Sequence, residues 1–119
     1  VLCGDKLSFL SGDDTLTLPL MAVGGRGVIS VVANLVPRAV ADLTHAFLNG
    51  DWKQARELHL KLFPLCQAMF YETNPICIKT AMAIMGMIGP ELRLPLCPMS
   101  EANRARLRNA MVAYGLQPK

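Results

Sequence analysis

The triplet Gly12-Asp13-Asp14 is the first place in this chain where residue types could do chemistry. Two neighbouring carboxyl groups could work as an acid–base pair, but successive side chains in extended backbone point to opposite sides. They cannot share one substrate proton, and capping the helix that follows suits their position and charge. Gly24-Gly25-Arg26-Gly27 has the composition of a phosphate loop. It leads into a strand instead of opening a helix, which excludes that role. Lys79 is the only charge in an apolar helical stretch, and a buried lysine is readily neutralised and made nucleophilic. An internal ion pair or a helix-end contact is the simpler role. His45 and His59 fall on different helices with no carboxylate or cysteine at motif spacing. Cys3, Cys66, Cys77 and Cys97 include no CxxC pair, so no metal site is expected.

Alternating strands and helices must position these residues. Leu7–Ser11 and Val28–Val31 read as two short apolar strands, with room between them for one helix ending near Val23 and carrying Pro19 in its early turns. That is a βαβ unit, the sign of a parallel sheet. In such folds ligands meet the carboxyl ends of the strands, here Gly12-Asp13-Asp14 and Ile29 to Asn34. A near-repeat relates residues 2–8 to 10–16; the second copy is read as functional and the first as a loop. A helix follows Asn34, with Pro37 where a missing N–H is harmless and Val36, Val40, Leu43 and Phe47 inward, and Asn49-Gly50 stops it. Asp51 should cap a long helix with Trp52, Ala55, Leu58, Leu62, Leu65 and Met69 in one stripe, which Pro64 should kink or split. Asn74-Pro75 opens a helix over Ile76–Met87 that is apolar nearly all round and so expected to be buried on every side. Ser100 caps the last helix, with Leu107, Met111 and Tyr114 inward. Met82, Met85 and Met87 read as core filler.

The run SGDD-TLTLP-x4-GG-x-GVISV-x2-N-x2-P resembles the seventh and eighth strands of the dihydrodipicolinate synthase family, class I aldolases with a (β/α)8 barrel. The resemblance continues through Gly50-Asp51, Ala55 to Leu58, Glu72-Thr73-Asn74-Pro75-Ile76 with Lys79, and Leu92 to Leu96. Cys77 departs from it, standing where the family usually has proline. The fold class it implies is α/β: the last two β/α units of a barrel over residues 1–50, then a helical extension over 51–119, mostly α by residue count. It further implies that a lysine on strand six, upstream of this stretch, forms an imine with pyruvate. The enamine then attacks aspartate semialdehyde on the way to lysine and diaminopimelate, with no cofactor. A main-chain group of Ile29 would face the pyruvate carboxylate side of the pocket, and Gly12, with Asp13 beside it, would line the floor. The family also implies a homo-oligomer, a tetramer at full length.

Length agrees with a part of such an enzyme: 119 residues against the roughly 250 of a whole barrel. With Val1 in place of an initiator methionine, the chain is expected to be a carboxyl-terminal piece, inactive alone. Its 52% hydrophobic content sits slightly above the usual 45–50% or so, as befits elements covered on two sides. The net charge of +3 is scattered, and Arg104, Arg106 and Arg108 lack interleaved aromatics, so no nucleic-acid partner is expected. No uncharged apolar run approaches the ~18 residues of a membrane span. A cytoplasmic protein with reduced thiols is the resulting expectation. A sister aldolase of the N-acetylneuraminate lyase type, or a non-catalytic helical assembly module, remain as alternatives.

Overall fold

The computed structural model describes residues 6–118. Cys3 and most of the first near-repeat copy lie outside them. Strand β1 (Leu10–Ser11) pairs in parallel with β2 (Gly27–Val28), Leu10 opposite Gly27 and Ser11 opposite Val28. Helix α1 (Thr17–Ala22), entered through a 3-10 turn at Asp14–Leu16, makes the crossover. Gly25 lies against the Leu20 carbonyl so closely that a side chain there would collide with backbone. The predicted βαβ unit is therefore present, but both strands are shorter than the apolar runs implied. Main-chain bonds Arg26 N to Phe9 O and Ile29 N to Ser11 O extend the pairing by a rung at each end. Beyond Ile29 the backbone turns, with Val31 already helical at φ −76°, ψ −48°. The cause is that the Val31 and Val32 amides bond Asp14 and not a neighbouring strand.

Four helices follow: α2 (Pro37–Leu48), α3 (Trp52–Ala68), α4 (Ile76–Ile84) and α5 (Glu101–Tyr114). Pro37 occupies the first turn of α2, and Gly50 at φ +80° closes its end. Asp51 accepts from Gln54 N at 3.0 Å at the head of α3, and Ser100 caps α5. The core lies between these helices: Leu65, Met69, Leu107 and Met111 are fully buried, with Ile76, Cys77 and Ala81 of α4 against them. Trp52 departs from the expected stripe. It is exposed and packs edge-on against Phe47, ring centres 4.3 Å apart.

Pro64 does not split α3, which runs through it. Helix α4 stops three residues before Met87. Gly86 at φ +71° takes the left-handed position, and Met87 N donates to Met82 O, the pattern by which glycine ends helices. One side of α4 is only half-buried, so it is not enclosed all round. No helix among the described residues is long and apolar enough to cross a membrane.

Candidate functional site: the carboxyl ends of the strands

Parallel pairing carries the chain past Ser11 and Val28 to Gly12 and Ile29, which leave neighbouring strands at the same end. Ile29 N donates to Ser11 O at 2.8 Å, the last rung of the ladder. Ile29 is 72% exposed. A side chain built at Gly12 would meet nothing within 4 Å, so neither packing nor backbone angle demands glycine there. The space above it is open.

The two carboxyl groups separate, but not through extended backbone alone: Asp13 is extended and caps the 3-10 turn, whereas Asp14 is already inside it. Asp13 is half-buried, and its Oδ1 accepts from Thr15 N at 2.7 Å and Thr15 Oγ1 at 2.6 Å, capping the 3-10 turn. The Ser11 hydroxyl donates to Asp13 O and accepts from Asp13 N, tightening the bend. Asp14 turns inward and is buried. Its Oδ2 accepts from Val31 N and Val32 N, both at 3.0 Å. Asp14 thus holds β2's exit, a role that reading local caps alone misses because the partners lie 17 and 18 residues away.

The strand ends offer main-chain groups, a capped carboxyl and open space. His59 and Cys66 come near this site only on the buried side of Asp14, where they line a small void with it and Thr17. The arrangement can bind and orient a small anion-bearing substrate but, among the described residues, supplies it no amine or thiol nucleophile. Lys79 is elsewhere, its Nζ donating to the Glu91 carbonyl oxygen at 2.7 Å; this is a tie to a loop and neither an ion pair nor a helix-end contact. His59 stacks edge-on near Phe63, and burial pulls its imidazole below the usual value. Cys66 is buried, and that burial, with the Asp14 and then Asp13 charges adding to it, pushes its thiol up to about 12. No group of His, Cys, Asp and Glu able to hold a metal occurs among the described residues.

Two polar clusters far from the strand ends fasten the last helices. Glu72 Oε1 accepts from Ser100 N, Ser100 Oγ and Asn103 Nδ2 at 2.8–3.1 Å, and these bonds, Asn103's first, hold its carboxyl below the ordinary range. Cys77 accepts from Glu72 N–H through its sulfur, so the thiol has a structural use. Arg106 lies over the Tyr71 ring at 4.1 Å, a cation–π contact beyond the solvated face expected of the arginine run.

The sequence model of the dihydrodipicolinate synthetase family matches residues 1–114. The chain belongs to that family. The 4-hydroxy-tetrahydrodipicolinate synthase of Geobacter sulfurreducens is 56% identical over 115 residues, which cover 97% of this chain and 40% of that enzyme. Dihydrodipicolinate synthase from Aquifex aeolicus superposes with a TM-score of 0.94 at 50% identity, over 98% of this chain and 40% of the other. The chloride-inhibited enzyme from Acinetobacter baumannii, solved with pyruvate, superposes at 0.88 and 40% identity over 92% and 38%. This chain spans about 40% of the length of the curated relatives it matches. Its fold is that part of a (β/α)8 barrel which holds two β/α units, with helices added.

Proposed function

We propose that this chain is the carboxyl-terminal part of a 4-hydroxy-tetrahydrodipicolinate synthase, which condenses pyruvate with aspartate semialdehyde through a lysine imine in lysine and diaminopimelate synthesis. Residues 1–50 would be the last two barrel units and 51–119 the helical extension. Ile29, Gly12 and Asp13 are the substrate-binding residues of this reading, with Ile29 offering a main-chain group to the pyruvate carboxylate side. The observation that carries it is the Ile29 N to Ser11 O bond, because it sets Ile29 beside Gly12 at the end where barrels bind ligands. Open space over Gly12 supports a floor kept free of side chain.

The reactive lysine belongs to strand six in this reading, outside the matched stretch. An imine turns the pyruvate methyl group into a nucleophile near neutral pH, and nothing at the strand ends here replaces that amine. A homo-oligomer, a tetramer, in the cytoplasm completes the proposal. The test is to assay the full-length protein carrying this sequence with pyruvate and aspartate semialdehyde, and separately with sialic acid. Turnover of the first pair is expected, whereas turnover of sialic acid alone would replace this reading with the sister lyase. Treated with pyruvate and borohydride, the 119-residue chain by itself should show no lysine adduct by mass.

A further inference from the structure

Asp14 bridges the two strand ends, and its contacts set where β2 stops. The side chain is 6% exposed. Its Oδ2 serves two successive amides at the head of the 3-10 turn Val32–Asn34. A capping group normally comes from the residue at the head of the turn. Here that residue is Val31, which has no side-chain acceptor and caps nothing. Asp14 takes the Val31 and Val32 amides from across the crossover, while the Ser30 hydroxyl accepts from Ala33 N at 2.8 Å. Ile29 and Ser30 are therefore held between two fixed points: the rung from Ile29 N to Ser11 O on one side and the Asp14 carboxyl on the other.

The other oxygen, Oδ1, is buried without a hydrogen-bond partner. Asp14 also lines a void of about 10 Å³ with Thr17, His59 and Cys66. Buried acceptors are normally matched, so this carboxyl is not placed to satisfy itself. Its position follows from the two amides it must reach.

Resting on the reading that Ile29 presents a main-chain group to pyruvate, we propose that Asp14 is a positioning residue for that group. It fixes the peptide after Ile29 at the height where the substrate's carboxylate side meets it. Where orientation governs rate, misplacement by about 1 Å is enough for a roughly hundredfold loss.

Three variants of the full-length protein test this. Asp14→Asn keeps an oxygen for both amides, Asp14→Ala removes it, and Asp14→Glu keeps the carboxyl one methylene too long. Asp14→Asn should stay within about fivefold of wild type in kcat/KM for pyruvate, while Asp14→Ala and Asp14→Glu fall by about fiftyfold or more. The pyruvate KM should rise in those two, and the KM of the aldehyde substrate should hold. Melting curves run in parallel, because a merely structural role would lower the folded fraction without moving the pyruvate KM of what remains. An unchanged pyruvate KM in Asp14→Ala and Asp14→Glu, or an Asp14→Asn as impaired as Asp14→Ala, overturns the proposal. Should Asp14→Ala fail to fold, the contrast between Asp14→Asn and Asp14→Glu decides by the same criteria. A wild-type protein that cannot condense pyruvate with the aldehyde overturns the functional reading itself, and this role with it.

Discussion

Around β1 and β2 the large apolar side chains face outward: Phe9 is 63% exposed and Ile29 72%. Along α3 and α5 they face inward, with Leu65, Met69, Leu107 and Met111 sealed from solvent. Both regions are rich in the same residue types, so hydrophobicity alone does not separate them. The helical stripes recur at 3.6 residues and find one another within the chain. Parallel strands need cover on both faces and a neighbour on each side, and among the described residues each has one neighbour. One region makes a core, and the other leaves an apolar surface uncovered. In the barrel family, that surface is where further strands would lie.

Thiol chemistry gives the largest contrast. With Cys66 pushed up to about 12 and Cys97 exposed, iodoacetamide at pH 8 should label Cys97 at least about a thousandfold faster than Cys66. Mass spectrometry of timed digests reads this, and equal rates would mean that the helical core opens as readily as the exposed segment between α4 and α5. Next, Leu65→Ala should destabilise the protein by about 3 kcal/mol in urea unfolding. Ser100→Ala should lower stability by about 1 kcal/mol through loss of the α5 cap.

Glu72 sharpens the same contrast through pH. Its carboxyl is held below its usual value of 4.5, chiefly by Asn103 and Ser100. The stabilisation is therefore complete above that usual value and disappears as pH falls through the lower folded one. The Tm gap between wild type and Glu72→Gln should be widest near neutrality and close in acid. The smallest effect is expected from Ile29→Ala, within about 0.5 kcal/mol in the same urea experiment, since an exposed side chain away from packing contributes little. A loss matching Leu65→Ala would erase the distinction between the two regions.

Local signals were legible in the residues themselves. Pro37, Asn49-Gly50, Asp51 and Ser100 each mark a boundary because capping chemistry is short-range, and all four sit where expected. The family pattern supplied Gly12, Asp13 and Ile29, whereas periodicity said only that strands end near them. Apolar runs overstate the strand lengths, because they do not show where the main chain is drawn into a turn. The cause of that turn, Asp14 with Val31 and Val32, joins residues with no periodic relation. Glu72 and Ser100, 28 residues apart, are invisible for the same reason. The stop at Gly86 was written in the sequence, but the methionines around it masked the break with continued apolarity.

Pro64 leaves one more mark on the molecule. It lies inside α3 without an N–H, so the Leu60 carbonyl four residues back lacks its helical donor, and Leu60 is on the wet side at 57% exposure. A carbonyl freed in this way is satisfied by water wherever the backbone lies within its reach. Rotating α3 about its axis to hide Leu60 would strand a thirsty oxygen in the interior. The orientation of this helix is thus chosen twice, once by the greasy stripe from Leu62 to Met69 and once by a single atom that must stay in touch with water.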